Sequence, residues 1–196
     1  RTVHYGAGIT YIKPHAFSYS YYLTTFEVDA DNPNYVAVDG VLYTHDMTEL
    51  VECPTAKTGS LVIPSTVTII RHDAFIGSYL SAVTLPASLE TIEYQAFWNS
   101  SLTEITLPAG YSSYDPSVFN GCGSLTAFYV SSDNPYFAAA AGILYSKDMS
   151  TLIRVPGGYS GSLTVSGETT RHIGKGAFQR CNNLTSVTLS EGIETI

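Results

Sequence analysis

Residue types that could do chemistry are present in this chain, but their spacing matches no known catalytic arrangement. General acid–base catalysis needs two carboxyl groups that face one another in a pocket. Glu27 and Glu104 are predicted to point outward in different columns of the fold. Asp31 and Asp133 directly precede Asn-Pro pairs, where capping a turn is the ordinary role of an aspartate side chain. We therefore predict that these carboxylates do not form a catalytic pair.

Histidine and cysteine give no stronger signal. His72 and His172 each follow an arginine, but neither has a cysteine or serine motif beside it. Cys53, Cys122 and Cys181 lack the CxxC and Cys/His spacings of metal sites, and three thiols cannot all pair with one another. Glycine-rich nucleotide motifs, HExxH and GxSxG are also absent. The sequence predicts a protein that is not an enzyme and has no cofactor and no metal site.

The composition excludes two further classes of partner. Only 13% of the 196 residues are charged and the formal net charge is −8, whereas nucleic-acid binding relies on clustered lysine and arginine. The acidic balance also disfavours docking on anionic lipid. The sequence contains no apolar stretch long enough to span a bilayer. We expect neither a nucleic-acid partner nor membrane insertion.

The sequence contains an internal repeat, which determines where the residues discussed above lie. The pattern Leu-x-x-apolar-x-apolar starts at Leu23, Leu80, Leu102, Leu125 and Leu184. Each copy follows a small residue and a phenylalanine, and these pairs are Ala16-Phe17, Ala74-Phe75, Ala96-Phe97, Val118-Phe119 and Ala177-Phe178. Positions 74, 96 and 118 are 22 residues apart. A period of about 20–29 residues with this pattern is typical of leucine-rich repeats.

Two longer repeats, at about 29–64 and 131–165, interrupt the regular period. They resemble each other at an offset of 102 residues, so that Asn32-Pro33 recurs as Asn134-Pro135. In each, short apolar segments flank a polar turn, which predicts a β-hairpin inserted into the array.

Residues Val83 to Phe97 have the form V-x-L-P-x-S-L-x-x-I-x-x-x-A-F, which resembles the BspA-like leucine-rich repeats of bacterial cell-surface proteins. The resemblance extends from Ile9 to Ile196, and the second long repeat departs from it at Ala141, which replaces Asp39. It implies an extracellular or cell-surface location. It also implies a non-enzymatic binding module of adhesin type, which recognises an extracellular protein of a host or of another microbe.

The repeats and the resemblance together predict a leucine-rich-repeat solenoid, a right-handed superhelix rich in β-structure with short helical or 3-10 turns. We expect a parallel concave sheet of about seven rungs with two inserted hairpins. Residues 1–196 would form one leucine-rich-repeat domain, part of a longer array. Its cut ends would then expose strand edges that invite end-to-end self-association.

The concave sheet is the predicted binding surface, since every second residue of a strand points outward. The outward residues proposed to contact a protein are Glu27, Thr84, Glu104, Thr106, Tyr129, Thr164 and Thr188, with Tyr43 and Tyr145 as hairpin contacts. A solvated face rich in β-branched threonine is the alternative interpretation. A passive spacer that presents another domain, and a carbohydrate-binding module that uses tyrosine-rich loops, are the other two hypotheses.

Overall fold

The computed structural model describes residues 1–13 and 15–196, which form strands and turns without any helix. The predicted short helical or 3-10 turns are therefore not found in these ranges. Residues such as Asp73, Gln95 and Asn99 have positive φ angles, which cannot continue a right-handed helical turn. It follows that nothing in these ranges has the length and apolar character of a membrane-crossing helix.

The described residues contain seventeen short strands. In chain order they are β1 (Thr2–Tyr5), β2 (Thr25–Val28), β3 (Tyr35–Val38), β4 (Val41–Thr44), β5 (Glu49–Glu52), β6 (Gly59–Val62), β7 (Ile69–Ile70), β8 (Leu80–Thr84), β9 (Thr91–Ile92), β10 (Glu104–Leu107), β11 (Ala127–Val130), β12 (Phe137–Ala140), β13 (Ile143–Ser146), β14 (Thr151–Arg154), β15 (Gly161–Val165), β16 (His172–Ile173) and β17 (Leu184–Leu189).

One strand from each turn of the solenoid contributes to the surface that was predicted to be concave, here called the ladder face. In the described chain it contains eight strands, β1, β2, β6, β8, β10, β11, β15 and β17, because β1 adds a rung to the predicted seven. These strands form four separate parallel pairs, β1–β2, β6–β8, β10–β11 and β15–β17, rather than one continuous sheet. The ladder is interrupted where each hairpin turn lies beside β2 or β11.

Each predicted hairpin is part of a three-stranded antiparallel unit. Strands β3, β4 and β5 form the first unit, and β12, β13 and β14 form the second. The third strand of each unit then pairs in parallel with a short strand of the next solenoid turn, β7 or β16. The long repeats therefore build a second surface of the solenoid, hereafter the hairpin face.

The turn that joins β3 to β4 explains why glycine recurs there. Asp39 and Gly40 have φ angles of 49° and 76°, as a two-residue type I′ turn requires. A Cβ atom on Gly40 would lie 3.2 Å from the Thr25 side chain, because the turn sits directly against β2. The Gly40 carbonyl accepts a hydrogen bond from the Phe26 amide at 2.9 Å. The turn thus terminates the ladder at β2.

The second copy of this turn contains a strained alanine. Ala141 has a φ of 50° where the first copy has Asp39, and alanine pays a steric cost in this region that aspartate and asparagine largely avoid. We expect Ala141→Asn to raise the free energy of unfolding by about 0.5–1 kcal/mol. Chemical denaturation would measure this, with Ala139→Asn as the control at normal φ. An equal gain in the control would contradict the explanation.

In each unit, the polar turn that joins the second and third strands is stabilised by an aspartate whose carboxylate accepts hydrogen bonds within the turn. The Asp46 carboxylate accepts hydrogen bonds from the Thr44 hydroxyl, the Thr48 amide and the Thr48 hydroxyl at 2.7, 3.0 and 2.7 Å. Asp148 receives the same three bonds from Ser146 and Ser150. The hydroxyl bond from Thr44 or Ser146, followed by the amide and hydroxyl bonds from Thr48 or Ser150, lowers the pKa of each carboxyl to about 2.

These lowered pKa values predict that the stability of the fold decreases at acid pH. Because the folded-state pKa lies below the ordinary 3.8, the stabilisation is present above that value and is lost as the pH falls towards about 2. We expect the melting temperature of the Asp46→Asn/Asp148→Asn double variant to depend less on pH across this window than that of the wild type. Calorimetry at several pH values tests this, and parallel curves for the two proteins would contradict it.

The solenoid interior is filled by the phenylalanines of the repeat. Phe75, Phe97 and Phe119 are at most 1% exposed and lie over one another, with ring centroids 4.6 and 5.3 Å apart and interplanar angles of 3° and 12°. Phe128 meets Phe119 edge to face at 5.3 Å. The small residues Ala74 and Ala96 are also buried, as the repeat pattern predicts.

Candidate functional site

The ladder face presents a column of outward side chains in register. Within the four strand pairs, the facing outward residues are His4 with Glu27, Val62 with Thr84, Thr106 with Tyr129, and Thr164 with Thr188. All seven residues predicted to point outward are exposed, including Glu104 in the neighbouring column. Whether they bind a partner remains a prediction.

The middle of this column consists of uncharged side chains. Val62 is 71% exposed and Tyr129 is 49% exposed, so this part of the face offers apolar surface to a partner. Charge is confined to the flanks, where His4 Nδ1 lies 3.0 Å from the Glu27 carboxylate at one end of the column. The combination of exposed aromatic and aliphatic groups with polar surroundings is typical of protein-binding surfaces.

A shallow cavity divides the ladder face between β8 and β10. It has a volume of about 360 Å³ and is lined by residues of both strands, including Thr84, Glu104 and Thr106. The two strands belong to different ladders, and their contact is made at Thr103, whose amide donates to the Ser81 carbonyl at 3.2 Å. The gap gives the middle of the ladder face a recess into which a partner side chain can fit.

The hairpin prediction is wrong for Tyr43. This side chain is 1% exposed, because β4 is covered on both sides: Leu42 packs into the core at the N-terminal end while Tyr43 packs into the central core. Burial raises the pKa of the Tyr43 hydroxyl above its ordinary value. Tyr43 therefore cannot contact a partner. Tyr145, its counterpart, is half-buried against the C-terminal core.

The tyrosine-rich loops separate into two kinds. Tyr111 is fully buried and packs 5.7 Å from Phe137, so it serves the core. Tyr21 and Tyr22 are 51% and 76% exposed near the N-terminal end, and the Tyr21 ring stacks on Tyr79 at 6.4 Å. Of the two loops, the N-terminal one that contains Tyr21 and Tyr22 presents exposed aromatic surface.

The Asn-Pro turns depend on asparagine rather than on the aspartate before it. Asn134 is fully buried; its amide nitrogen donates to the carbonyls of Pro108 and Tyr111 at 2.7 and 2.9 Å. Its amide oxygen accepts from the amides of Tyr136 and Phe137. An amide can donate and accept at once, which a carboxylate cannot. The turn-capping role predicted for Asp133 therefore belongs to Asn134.

The three cysteines are buried or half-buried side chains. Cys53, Cys122 and Cys181 are free thiols. Burial raises the pKa of Cys53 to about 12 and raises the pKa of the other two thiols in the same direction. Since the thiolate is the reactive species, these groups are poorly suited to nucleophilic or redox chemistry.

Sequence spacing missed one cluster of chemically competent side chains. His15, His72 and Asp73 meet at a cavity of about 280 Å³ that Glu52 and Glu93 also line. Asp73 is 4% exposed, and burial raises its pKa. Burial, together with the nearby Asp73 charge, raises the pKa of Glu52 to about 7. Because His15 and His72 are 57 residues apart, no local motif could reveal the cluster.

Comparison with known families identifies the repeat. The profile of the BspA type leucine-rich repeat region matches six copies, over residues 53–141 and 161–196, which is more than half of the chain. The chain belongs to the BspA-type leucine-rich repeat family. A comparison with curated proteins finds no match.

Solved structures of two bacterial proteins share this BspA-type architecture. A leucine-rich repeat protein from Eubacterium ventriosum is 25% identical, with a TM-score of 0.71, and the match covers 95% of this chain and 48% of that one. A leucine-rich cell surface protein from Faecalibacterium prausnitzii is 21% identical, with a TM-score of 0.62, and the match covers 98% of this chain and 61% of that one. The chain thus spans about half the length of the first relative and three fifths of the second, and the latter likeness shows the fold alone.

Proposed function

We propose that this BspA-type array is a non-enzymatic extracellular module that binds a protein through the ladder face. The observation that carries the proposal is an exposed row made of two in-register pairs, Val62 with Thr84 and Thr106 with Tyr129. Such a row offers apolar area without a charge that would have to be desolvated on binding. The extracellular location is supported by the family and by a fold relative described as a leucine-rich cell surface protein.

Tyr129 is the expected anchor of this surface. Its ring is half-exposed in the free protein and faces Thr106 across the β10–β11 ladder, and Thr106 in turn lines the recess between β8 and β10. A rigid aromatic side chain held on a strand loses little entropy when a partner covers it. The flanking Glu27 and Glu104 would then favour a partner with basic groups at the rim of the interface.

Removing the anchor is expected to weaken binding. The purified chain is screened against immobilised extracellular-matrix proteins and a glycan array at physiological salt, and any ligand found is titrated by surface plasmon resonance. We expect Tyr129→Ala to weaken protein binding by about tenfold or more. The corresponding loss of binding free energy is roughly 1.4–2 kcal/mol, as for an interface hot spot. Thr106→Lys, which places a charge in the same row, should act in the same direction.

The matched control is Tyr136→Ala. Tyr136 is 52% exposed, close to the value for Tyr129, but lies at the start of the second hairpin unit. Unchanged affinity for Tyr129→Ala together with a loss for Tyr136→Ala would reject the ladder face and assign binding to the hairpin face. Absence of binding by a folded chain would favour the passive spacer.

Carbohydrate binding is a second candidate. It rests on the exposed Tyr21 and Tyr22 beside the Tyr21–Tyr79 stack, because flat aromatic faces can stack on sugar rings. Glycan binding lost in Tyr21→Ala but kept in Tyr129→Ala would support this candidate over the first.

A further inference from the structure

The His15–His72–Asp73 cluster lies where the N-terminal turn of the solenoid meets the first hairpin unit. His15 and Asp73 occupy the same position of their repeats, directly before the Ala-Phe pair, and both have positive φ angles of 62° and 59°. Histidine and aspartate are among the few residues other than glycine that adopt this conformation readily. The backbone thus brings two side chains from distant repeats into one cavity.

The distances within the cluster are those of a ligand set. His15 Nδ1 and His72 Nε2 each lie 3.0 Å from Oδ2 of Asp73, and the three ligand atoms are all within 4.8 Å of one another. A zinc ion with bonds of about 2.0–2.1 Å at tetrahedral angles separates its ligand atoms by about 3.3 Å. The arrangement can therefore take an ion with small side-chain adjustments.

Hydrogen bonding does not account for the arrangement. Among the described residues, neither carboxylate oxygen of Asp73 nor Nε2 of His72 has a hydrogen-bond partner of acceptable geometry, although all three atoms are buried. A buried carboxylate is costly unless a positive charge compensates it. The two imidazole rings can supply this charge only by protonation. Their ring centroids are 5.2 Å apart, so charges on both rings would repel each other. A single ion between the three groups satisfies all of them at once.

We propose that His15, His72 and Asp73 bind one divalent transition-metal ion, with Zn²⁺ as the expected occupant. Imidazole nitrogen favours zinc and its neighbours over the hard cations Ca²⁺ and Mg²⁺, which prefer oxygen ligands. Three protein ligands leave a coordination position open towards the cavity, where Glu52 can accept a hydrogen bond from a bound water. The ion would link the N-terminal turn to the turn that follows the first hairpin unit.

The second long repeat provides an internal control for this site. At the positions that correspond to His15, His72 and Asp73 it has Ser117, Lys175 and Gly176. The counterpart of Glu52 is Arg154, which is 1% exposed and donates from Nη1 to the Gly176 carbonyl at 2.7 Å. A hydroxyl, an ammonium group and a glycine replace the three ligands there, and a guanidinium group replaces Glu52. The chain is therefore expected to bind one ion and not two.

Metal binding to the intact 196-residue chain tests the proposal. After removal of metal with EDTA, isothermal titration with Zn²⁺ should give one equivalent bound, and Co²⁺ should give the visible absorption of a low-coordinate site. Zn²⁺ should also raise the melting temperature, because it binds only the folded chain. Ca²⁺ should do none of these. Absence of Zn²⁺ binding, or a preference for Ca²⁺, would overturn the proposal.

Conservative variants locate the ion. His15→Asn and Asp73→Asn tolerate the positive φ, and His72→Gln keeps the size of the side chain, so each should fold in EDTA. Each should weaken Zn²⁺ binding by at least about tenfold, since even outer-shell changes cost about 10–100-fold. Melting in EDTA identifies any variant that is destabilised without metal. The Zn²⁺ affinities of the remaining variants then show whether these three residues bind the ion.

Two matched histidines serve as controls. His172 bonds to the Thr195 hydroxyl at 2.9 Å in the second half of the array, and His4 pairs with Glu27 on the ladder face. His172→Gln and His4→Gln should leave Zn²⁺ affinity unchanged. Binding that survives all three ligand variants, or that is lost equally in a control, would show an adventitious surface site and would reject the assignment.

Discussion

Replacing Phe97 with alanine is expected to lower the free energy of unfolding by about 3–5 kcal/mol. Phe97 is fully buried between Phe75 and Phe119, so its removal leaves a void and breaks both ring contacts of the stack. In a solenoid each turn is stabilised by its neighbours, so a void in the middle weakens two interfaces at once. Urea denaturation followed by circular dichroism measures the effect.

Two further variants make this result interpretable. Phe97→Leu retains most of the apolar volume and should cost less than Phe97→Ala. Tyr22→Ala removes an aromatic side chain that is 76% exposed and should change stability by no more than about 0.5 kcal/mol. A Phe97→Ala loss no larger than that of Tyr22→Ala would contradict the stacked core.

Replacing Asn134 with alanine is expected to cost about 3–4 kcal/mol. The substitution strips partners from two carbonyls and two amides, and each unpaired buried group costs about 1 kcal/mol or more. The carbonyls belong to the preceding solenoid turn, so the side chain joins the plain repeat to the second hairpin unit. Chemical denaturation and hydrogen exchange at Tyr136 and Phe137 would report the loss.

The first long repeat provides the comparison. Asn32 makes the equivalent contacts to the carbonyls of Gly6 and Ile9, at 2.9 and 3.2 Å, and to the amides of Asn34 and Tyr35. Gly6 and Ile9 are exposed, so water can replace the lost donor there. Asn32→Ala should therefore be the milder substitution. Equal losses, or a milder Asn134→Ala, would show that burial of the carbonyls does not set the cost.

The successes of the sequence prediction concern local periodicity. The two-residue alternation of strands fixes which side of the backbone each residue takes. That rule predicted that Thr106 and Tyr129 point outward, and the Ala-Phe pairs predicted where the core phenylalanines lie. The BspA-type family was identifiable for the same reason, since its signature is a repeated local pattern.

The failures concern contacts between repeats. Tyr43 was predicted to be a hairpin contact, but β4 has a buried core on each side. The breaks in the ladder at β2 and β11 follow from the close approach of Gly40 to Thr25 and of Gly142 to Ala127. The spacing of the outward residues along each strand carries no sign of them. Such features depend on how neighbouring turns stack.

The sequence by itself determined the repeat, the family and the outward direction of the residues predicted on the ladder face. Only the tertiary structure decided that Tyr43 is buried, that the ladder face has a recess, and that His15, His72 and Asp73 meet. The physical reason is the distance along the chain over which each effect acts. Periodicity is set by backbone geometry over a few residues, whereas a cavity between repeats depends on the stacking register of segments far apart in the chain.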